Sequence, residues 1–256
     1  MNIPRVIHQI WLQGAAAMPP RYVDMRQSWR EKHPTWEHRL WDDASIRALL
    51  RQHHPTFLAT YGSYRRLIQR VDAAKYFILY RHGGFYFDLD TRCRRPLDSL
   101  LHEYPHALLL LSEHPFSPTE ERLLRLVLGT RHVLTNGTLA SAAGLSLWQD
   151  VLAELPRAVG RFRFQRELNV TFSTGPAFLS RALDPHLRRA DRRISVLPPE
   201  YFESKFGFDS EADYDPRSFI EHSHDATWQP AFLRAAFSKY FDVKRSLTRT
   251  ARGRAR

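Results

Sequence analysis

Cysteine is almost missing from this chain of 256 residues. Cys93 stands alone, so no intrachain disulfide can form and no cysteine-based zinc site can be built. A lone thiol fits a reducing compartment. Long apolar runs are missing as well: none reaches the roughly 18 residues that a membrane-spanning helix needs. The run from Ala107 to Leu111 suits a buried strand instead. No membrane-spanning segment is therefore expected. Residues Met1 to His8 lack the basic and apolar regions of a secretory signal, and the expectation is a cytoplasmic protein. No repeat, low-complexity block or linker interrupts the chain before its basic end. One catalytic-sized domain over residues 1–238 and a basic, disordered tail over 239–256 are expected.

What is abundant is positive charge, +11 formally. Seven basic residues against Asp242 place more than half of the excess between Lys239 and Arg256. An Arg-rich end without apolar periodicity reads as a solvated arm, as a contact for an anionic membrane surface, or as a nucleic-acid contact. With the charge concentrated there, a specific nucleic-acid partner is not expected from the rest of the chain.

Strand and helix patterns alternate from the start. Arg5 to Trp11 alternates faces, with Ile7, Gln9 and Trp11 on one side and Val6, His8 and Ile10 on the other. A helix that follows Pro19-Pro20 and runs to about Lys32, a strand from Trp36 to Trp41, and a helix capped by Asp42 or Asp43 come next. Such alternation predicts an α/β fold with an open, mostly parallel, Rossmann-like sheet and flanking helices. From Tyr64 to Arg81 the apolar residues Leu67, Val71, Ala74 and Ile78 recur at helical spacing until Gly83-Gly84 ends the pattern. Further along, strands are predicted at Ala107 to Leu111, Val133 to Asn136, Arg193 to Leu197 and Phe219 to His224. Helices are predicted at Glu120 to Leu128 and Leu145 to Leu155, with a short one opening at Gly175-Pro176.

The segment Gly83 to Asp90 carries the chemistry. Period-two alternation along a strand would put Tyr86, Asp88 and Asp90 on one face and Phe85, Phe87 and Leu89 on the other. Two carboxylates so placed repel each other, so they need a cation or a proton. A hard divalent ion meets that need and can in turn hold a diphosphate. Asp72 and Lys75, three apart on the preceding helix, form either a surface ion pair or part of the same site. Trp11, at a strand's carboxyl end, could stack on a base or close the core. His222 and His224 share a strand face and could contact metal or phosphate, or be satisfied polar residues.

The stretch Ile68 to Asp90 resembles the signature of family-32 type, DXD-containing glycosyltransferases, with wording nearest to the catalytic subunits of fungal mannosyl-inositol-phosphorylceramide synthases. Ile3 to Trp11, Ser28-Trp29 through Pro34, Leu40-Trp41-Asp42, Thr174-Gly175-Pro176 and His222 to Trp228 are similar to the same family. The resemblance implies a GT-A type fold, a nucleotide-sugar donor linked to GDP or UDP, and Mn2+ or Mg2+. It implies that Trp11 stacks on the base, that Asp72 holds the sugar hydroxyls, and that Tyr86 lines the donor pocket. Asp88 would bind ribose and approach the metal, Asp90 would ligate it with His222 nearby, and Asn136 would stand near the reacting sugar. Lys75 replaces the family's usual arginine, and His222 and Trp228 would belong to a loop closing over the diphosphate. The implied reaction is metal-dependent hexosyl transfer, GDP-mannose or a UDP-hexose to a lipid or polysaccharide hydroxyl, with retained configuration. The residues alone leave two rivals: a glycoside hydrolase using Asp88 and Asp90, and a basic nucleic-acid-binding protein.

Overall fold

The computed structural model describes residues 2–114, 116–159, 166–202 and 215–225. The chain opens with β1 (Val6–Ile10), α1 (Pro20–Lys32), β2 (Glu37–Trp41) and α2 (Asp43–His53). Asp42 is the cap of α2: its carboxylate accepts from the Ser45 amide at 2.8 Å, and Ser45 Oγ accepts from the Asp42 amide at 2.9 Å. Then come α3 (Leu58–Ser63), α4 (Leu67–His82), β3 (Gly84–Phe87), β4 (Thr91–Cys93), α5 (Asp98–Glu103), β5 (Leu109–Ser112) and α6 (Pro118–Leu128). The remaining elements are β6 (Thr138–Ser141), α7 (Leu147–Ala158), α8 (Arg166–Ser173), α9 (Pro176–Arg188), β7 (Ile194–Leu197), α10 (Pro199–Phe202) and β8 (Ile220–His222). No helix among the described residues is long and apolar enough to cross a membrane.

Six strands form one sheet in the order β2-β1-β3-β6-β5-β7. Only β6 runs against its neighbours, so β1, β2, β3, β5 and β7 end on a common edge. Alternation sorts their side chains as the pattern predicts. Ile10, Tyr86, Leu109 and Leu139 pack against α4, α7 and α9 on one face. Ile7, Phe85, Phe87 and Leu110 pack with Trp29, Trp36 and Phe219 on the other. Each such fully buried large side chain contributes about 1.5–3 kcal/mol relative to exposure.

Four expectations change. The acidic strand stops at Phe87: Asp88 closes the ladder through its amide on Gly137 O at 2.9 Å, and Thr91 Oγ1 donates to Asp88 O at 2.6 Å to fold the chain into a turn. Asp88 and Asp90 therefore meet through that turn, not through strand alternation, and β4 leaves to pair with β8 in a separate two-stranded sheet. Val133 to Asn136 is no sheet strand; it contributes one bridge, Leu134 to Glu113, and the true strand is β6 just beyond it. Gly175-Pro176 opens a helix of 13 residues rather than a short one. Helix α8, ahead of it, has no counterpart among the predicted elements.

Gly83 and Gly84 are required where they stand. Both have positive φ, 63° and 90°, and a Cβ would meet Ala143 N or Val6 O at 2.6 Å. His8 locks this corner. It is fully buried, accepts from Trp41 Nε1 at Nδ1 (3.1 Å), and its Nε2–H donates to Gly83 O (2.9 Å), which fixes a neutral ring. Burial, aided by the charges of His82 and Arg39, lowers its pKa from 6.5 to about 3. The unfolded chain takes up this proton near pH 6.5 and the fold does not until about 3. The contribution is thus fully present above 6.5 and is lost as pH falls through that window. Replacing His8 with Gln should flatten the decline of stability between pH 6.5 and 4.5 by up to about 1.4 kcal/mol per pH unit. Urea melts at both pH values check this; an unchanged slope would contradict it.

Candidate active site

The common edge of the sheet carries the candidate site. The β1–β3 register, His8 opposite Tyr86, brings the end of β1 beside the 88–90 turn. Helix α4 runs antiparallel to β3 beneath it and presents Asp72 and Lys75 from its first half. Their pair is not on the surface: the side chains are 5% and 1% exposed, with Lys75 Nζ 3.0 Å from Asp72 Oδ1. Lys75 also donates to Asp88 Oδ1 at 3.4 Å and to Asn136 O at 3.0 Å, so its three protons meet three acceptors. Burial would lower the Lys75 pKa, but the charges of Asp88 and Asp72 hold it above the usual lysine value. The ammonium therefore stays charged inside the protein.

Asp72 is clamped from every side. Its Oδ1 accepts from Asn136 Nδ2 at 2.9 Å, and its Oδ2 from Thr174 Oγ1 at 3.3 Å. Asn136 Nδ2 also reaches Tyr76 OH at 3.4 Å, and Tyr76 donates to Thr174 O at 2.7 Å. Burial raises the Asp72 pKa, with Lys75 working against it. At the end of β3, Tyr86 OH donates to Asp88 Oδ1 at 2.7 Å. Burial and the negative charge of Asp88 push this phenol well above its ordinary value. Asp88 is likewise raised by burial, offset by Lys75 and reinforced by Asp90.

Asp90 behaves in the opposite way. Burial alone would raise its pKa, but the neighbouring His222 and the Asp225 amide, 2.9 Å from Oδ2, hold it well below the usual carboxylate range. His222 Nε2 lies 3.3 Å from Asp90 Oδ1, and its ring stacks on His224 at 3.8 Å. One ligand atom each from Asp88, Asp90 and His222 can be chosen with all three within 4.8 Å of one another. Two carboxylates and an imidazole form a donor set suited to Mn2+ and, less strongly, Mg2+. The space before them is kept by Gly137, where a Cβ would meet Asp88 Oδ2 at 2.8 Å and His222 Cε1 at 3.2 Å. The residues present fit a divalent cation.

Trp11 joins the same site through two side chains. Its ring packs on Tyr22 of α1 at 5.6 Å, Tyr22 OH donates to Asp225 Oδ2 at 2.9 Å, and Asp225 holds Asp90 through its amide. Arg21 pairs with the other Asp225 oxygen at 3.0 Å. Trp11 Nε1 is buried without a hydrogen-bond partner among the described residues. The structure thus brings together Trp11, Asp72, Lys75, Tyr86, Asp88, Asp90, Asn136 and His222. Trp228 and the tail lie outside the described residues. Thr174, Tyr76, Gly137, Tyr22 and Asp225 were not assigned roles from the sequence. Tyr76 was accessible as the residue one helical turn after Asp72, and Gly137 as the glycine following Asn136; nothing local to Tyr22 points to Asp225.

A mixed sheet whose carboxyl edge gathers an acidic turn over a buried helix is a GT-A type nucleotide-sugar-binding fold. The solved structure of the PaToxG glycosyltransferase shares it with a TM-score of 0.51 at 15% identity, over 74% of this chain and 72% of that one. Residues 19–107 match the family described as glycosyltransferase sugar-binding region containing DXD motif. It is 35% identical over 205 residues to inositol phosphoceramide mannosyltransferase 3 of Schizosaccharomyces pombe, and 30% identical over 230 residues to inositol phosphoceramide mannosyltransferase 1 of the same yeast. These matches cover 78% and 89% of this chain but 51% and 62% of the relatives.

The buried ammonium makes a direct test. Lys75→Met should leave Asp72 and Asp88 without their countercharge and destabilise the fold by on the order of 3 kcal/mol. Adding Asp72→Asn should restore part of the loss. Chemical denaturation of the two single variants and the double variant measures the coupling; strictly additive losses would contradict it.

Proposed function

We propose that this chain transfers a hexose from a nucleotide sugar to an acceptor hydroxyl, with retained configuration, using a divalent cation held by Asp90, Asp88 and His222. The observation that carries this reading is the convergence of those three ligands with Trp11 on one side and the Asp72–Lys75–Asn136 network on the other. When bound, Mn2+ or Mg2+ supplies positive charge to the diphosphate as it leaves. Trp11 offers a flat apolar face for the base, and Tyr22 behind it fixes the indole's tilt. Asp72 would reach the sugar from behind this edge: its longest bond, to Thr174, is the one that a sugar hydroxyl would replace. Lys75 fixes Asp88 and the Asn136 backbone at once, so the groups beside the reacting carbon are positioned before substrate arrives.

GDP-mannose is favoured over a UDP-hexose, because the yeast relatives are named as mannosyltransferases. Their names likewise favour an inositol phosphoceramide type of lipid acceptor over a polysaccharide. Retention is supported by the engagement of Asp72, whose two oxygens are held by Lys75, Asn136 and Thr174 and are poorly placed for covalent attack. Attack by the acceptor hydroxyl on the face that the diphosphate leaves is then the simpler course. A hydrolase is disfavoured by the same geometry: Asp88 and Asp90 lie on one turn and converge, where a glycosidase needs carboxylates flanking the bond. Residues 1–238 are taken as the catalytic unit, with 239–256 as an accessory tail on a protein that works at the cytoplasmic surface of a membrane.

A thermal-shift screen of GDP- and UDP-sugars with Mn2+ tests the donor. A ligand at about 100 times its Kd should add about 2.7 kcal/mol, a rise of roughly 5–10 °C in Tm. Asp90→Asn should abolish the Mn2+-dependent rise and lower transfer by on the order of 100-fold or more. Near-normal transfer by that variant at saturating donor and metal would defeat the metal role.

A further inference from the structure

Helix α6 leaves the sheet at the carboxyl end of β5 and returns to it at Asn136-Gly137, so it overhangs the edge that bears the site. Its stability is local. Ser117 and Glu120 form a capping box, Gly129 closes the other end with φ 70°, and none of its residues is buried. An amphipathic helix ordinarily hides its apolar stripe. Here Leu123, Leu126 and Val127, spaced to share a face, are 61%, 80% and 66% exposed. The acids of α6 are already engaged: Glu120 bonds Ser117, and Glu121 pairs with Arg125. Exposed Arg122 remains beside the leucines.

Other exposed apolar side chains lie at the same end of the sheet. Leu67 starts α4 at 52% exposure, flanked by exposed Arg65, and Leu168 of α8 is 42% exposed near the Gln69–Asn169 contact. Val23, next to Tyr22 in α1, is 49% exposed. Apolar tips with cations beside them, on a chain whose residues 1–238 keep a net charge of +5, are complementary to an anionic lipid surface. The helix is also tied to the catalytic edge. Arg125 reaches Glu113 at 3.2 Å, and His132, on the segment leading to Asn136, reaches the same carboxylate at 2.7 Å.

We propose that α6 docks the protein on an anionic bilayer, with Leu123, Leu126 and Val127 in the headgroup–acyl boundary and the active-site edge facing the membrane. This assigns membrane contact to a folded element of the catalytic edge, separate from the basic tail. It rests on the proposed transferase reading only for its purpose, the delivery of a lipid headgroup hydroxyl to the site.

The test is flotation of the full-length protein with phosphatidylcholine vesicles and with phosphatidylcholine–phosphatidylserine vesicles, at low and high salt. The comparison is wild type against Leu123→Glu/Leu126→Glu and against a chain ending at residue 238. Expected is binding to the anionic vesicles that survives in part at high salt and falls by roughly tenfold or more in the Glu variant. Tm and the nucleotide-sugar thermal shift of that variant should be unchanged. Binding lost entirely by removing 239–256 and unaffected by the Glu pair would overturn the proposal. So would wild-type self-association abolished by the Glu pair without vesicle binding, which would make α6 a protein interface. Vesicle binding that follows the Glu pair while no nucleotide sugar binds would uphold docking and reject the transferase reading.

Discussion

Three carboxylates, Asp72, Asp88 and Asp90, crowd the carboxyl end of β3, and the arrangement holds because positive charge is distributed among them. Lys75 is the permanent part of that charge. It is 1% exposed, yet it satisfies two carboxylates and a backbone carbonyl from three different segments of chain. Breaking a buried pair by removing one partner is far costlier than the net value of the pair. The helix, the strand end and the Asn136 loop are therefore obliged to stay in register with one another. Lysine suits this position because a compact ammonium can point three donors in three directions, which a planar guanidinium cannot do.

Lys75 takes Asp72 and one oxygen of Asp88, while the other Asp88 oxygen and Asp90 face the Gly137 gap with His222. The site is thus divided: an inner half that Lys75 neutralises and that holds geometry, and an outer half where Asp90 is met by His222 and the Asp225 amide. Asp225 links the outer half to α1 and, through Tyr22, to the Trp11 indole, so the indole and the 88–90 turn share one support.

Much of this could be read from residues in order, where local rules govern. The period-two strands at residues 6–10 and 37–41, the helix ending at Gly83-Gly84 and the capping Asp42 follow from short-range sterics and hydrogen bonding. Their observed bounds lie within a few residues of the expected ones. What could not be read depends on partners far along the chain. Asp72 and Lys75 look like a surface pair until Asn136 and Thr174, 64 and 102 residues away, cover them. Val133 to Asn136 has a strand's composition, but its backbone is drawn off to β5 by Ser112 and Glu113, and the strand falls at 138–141 instead. Asp88 and Asp90 converge through a turn closed by Thr91, a residue that reads as ordinary β sequence.

The most direct measurement is anomalous diffraction at the manganese edge from crystals soaked with Mn2+ and a nucleoside diphosphate. The expected result is a peak within coordination distance of Asp90 and His222, with the diphosphate on the metal and the base against Trp11. A nucleotide bound elsewhere, or manganese absent from the 88–90 turn while nucleotide is bound, would contradict it.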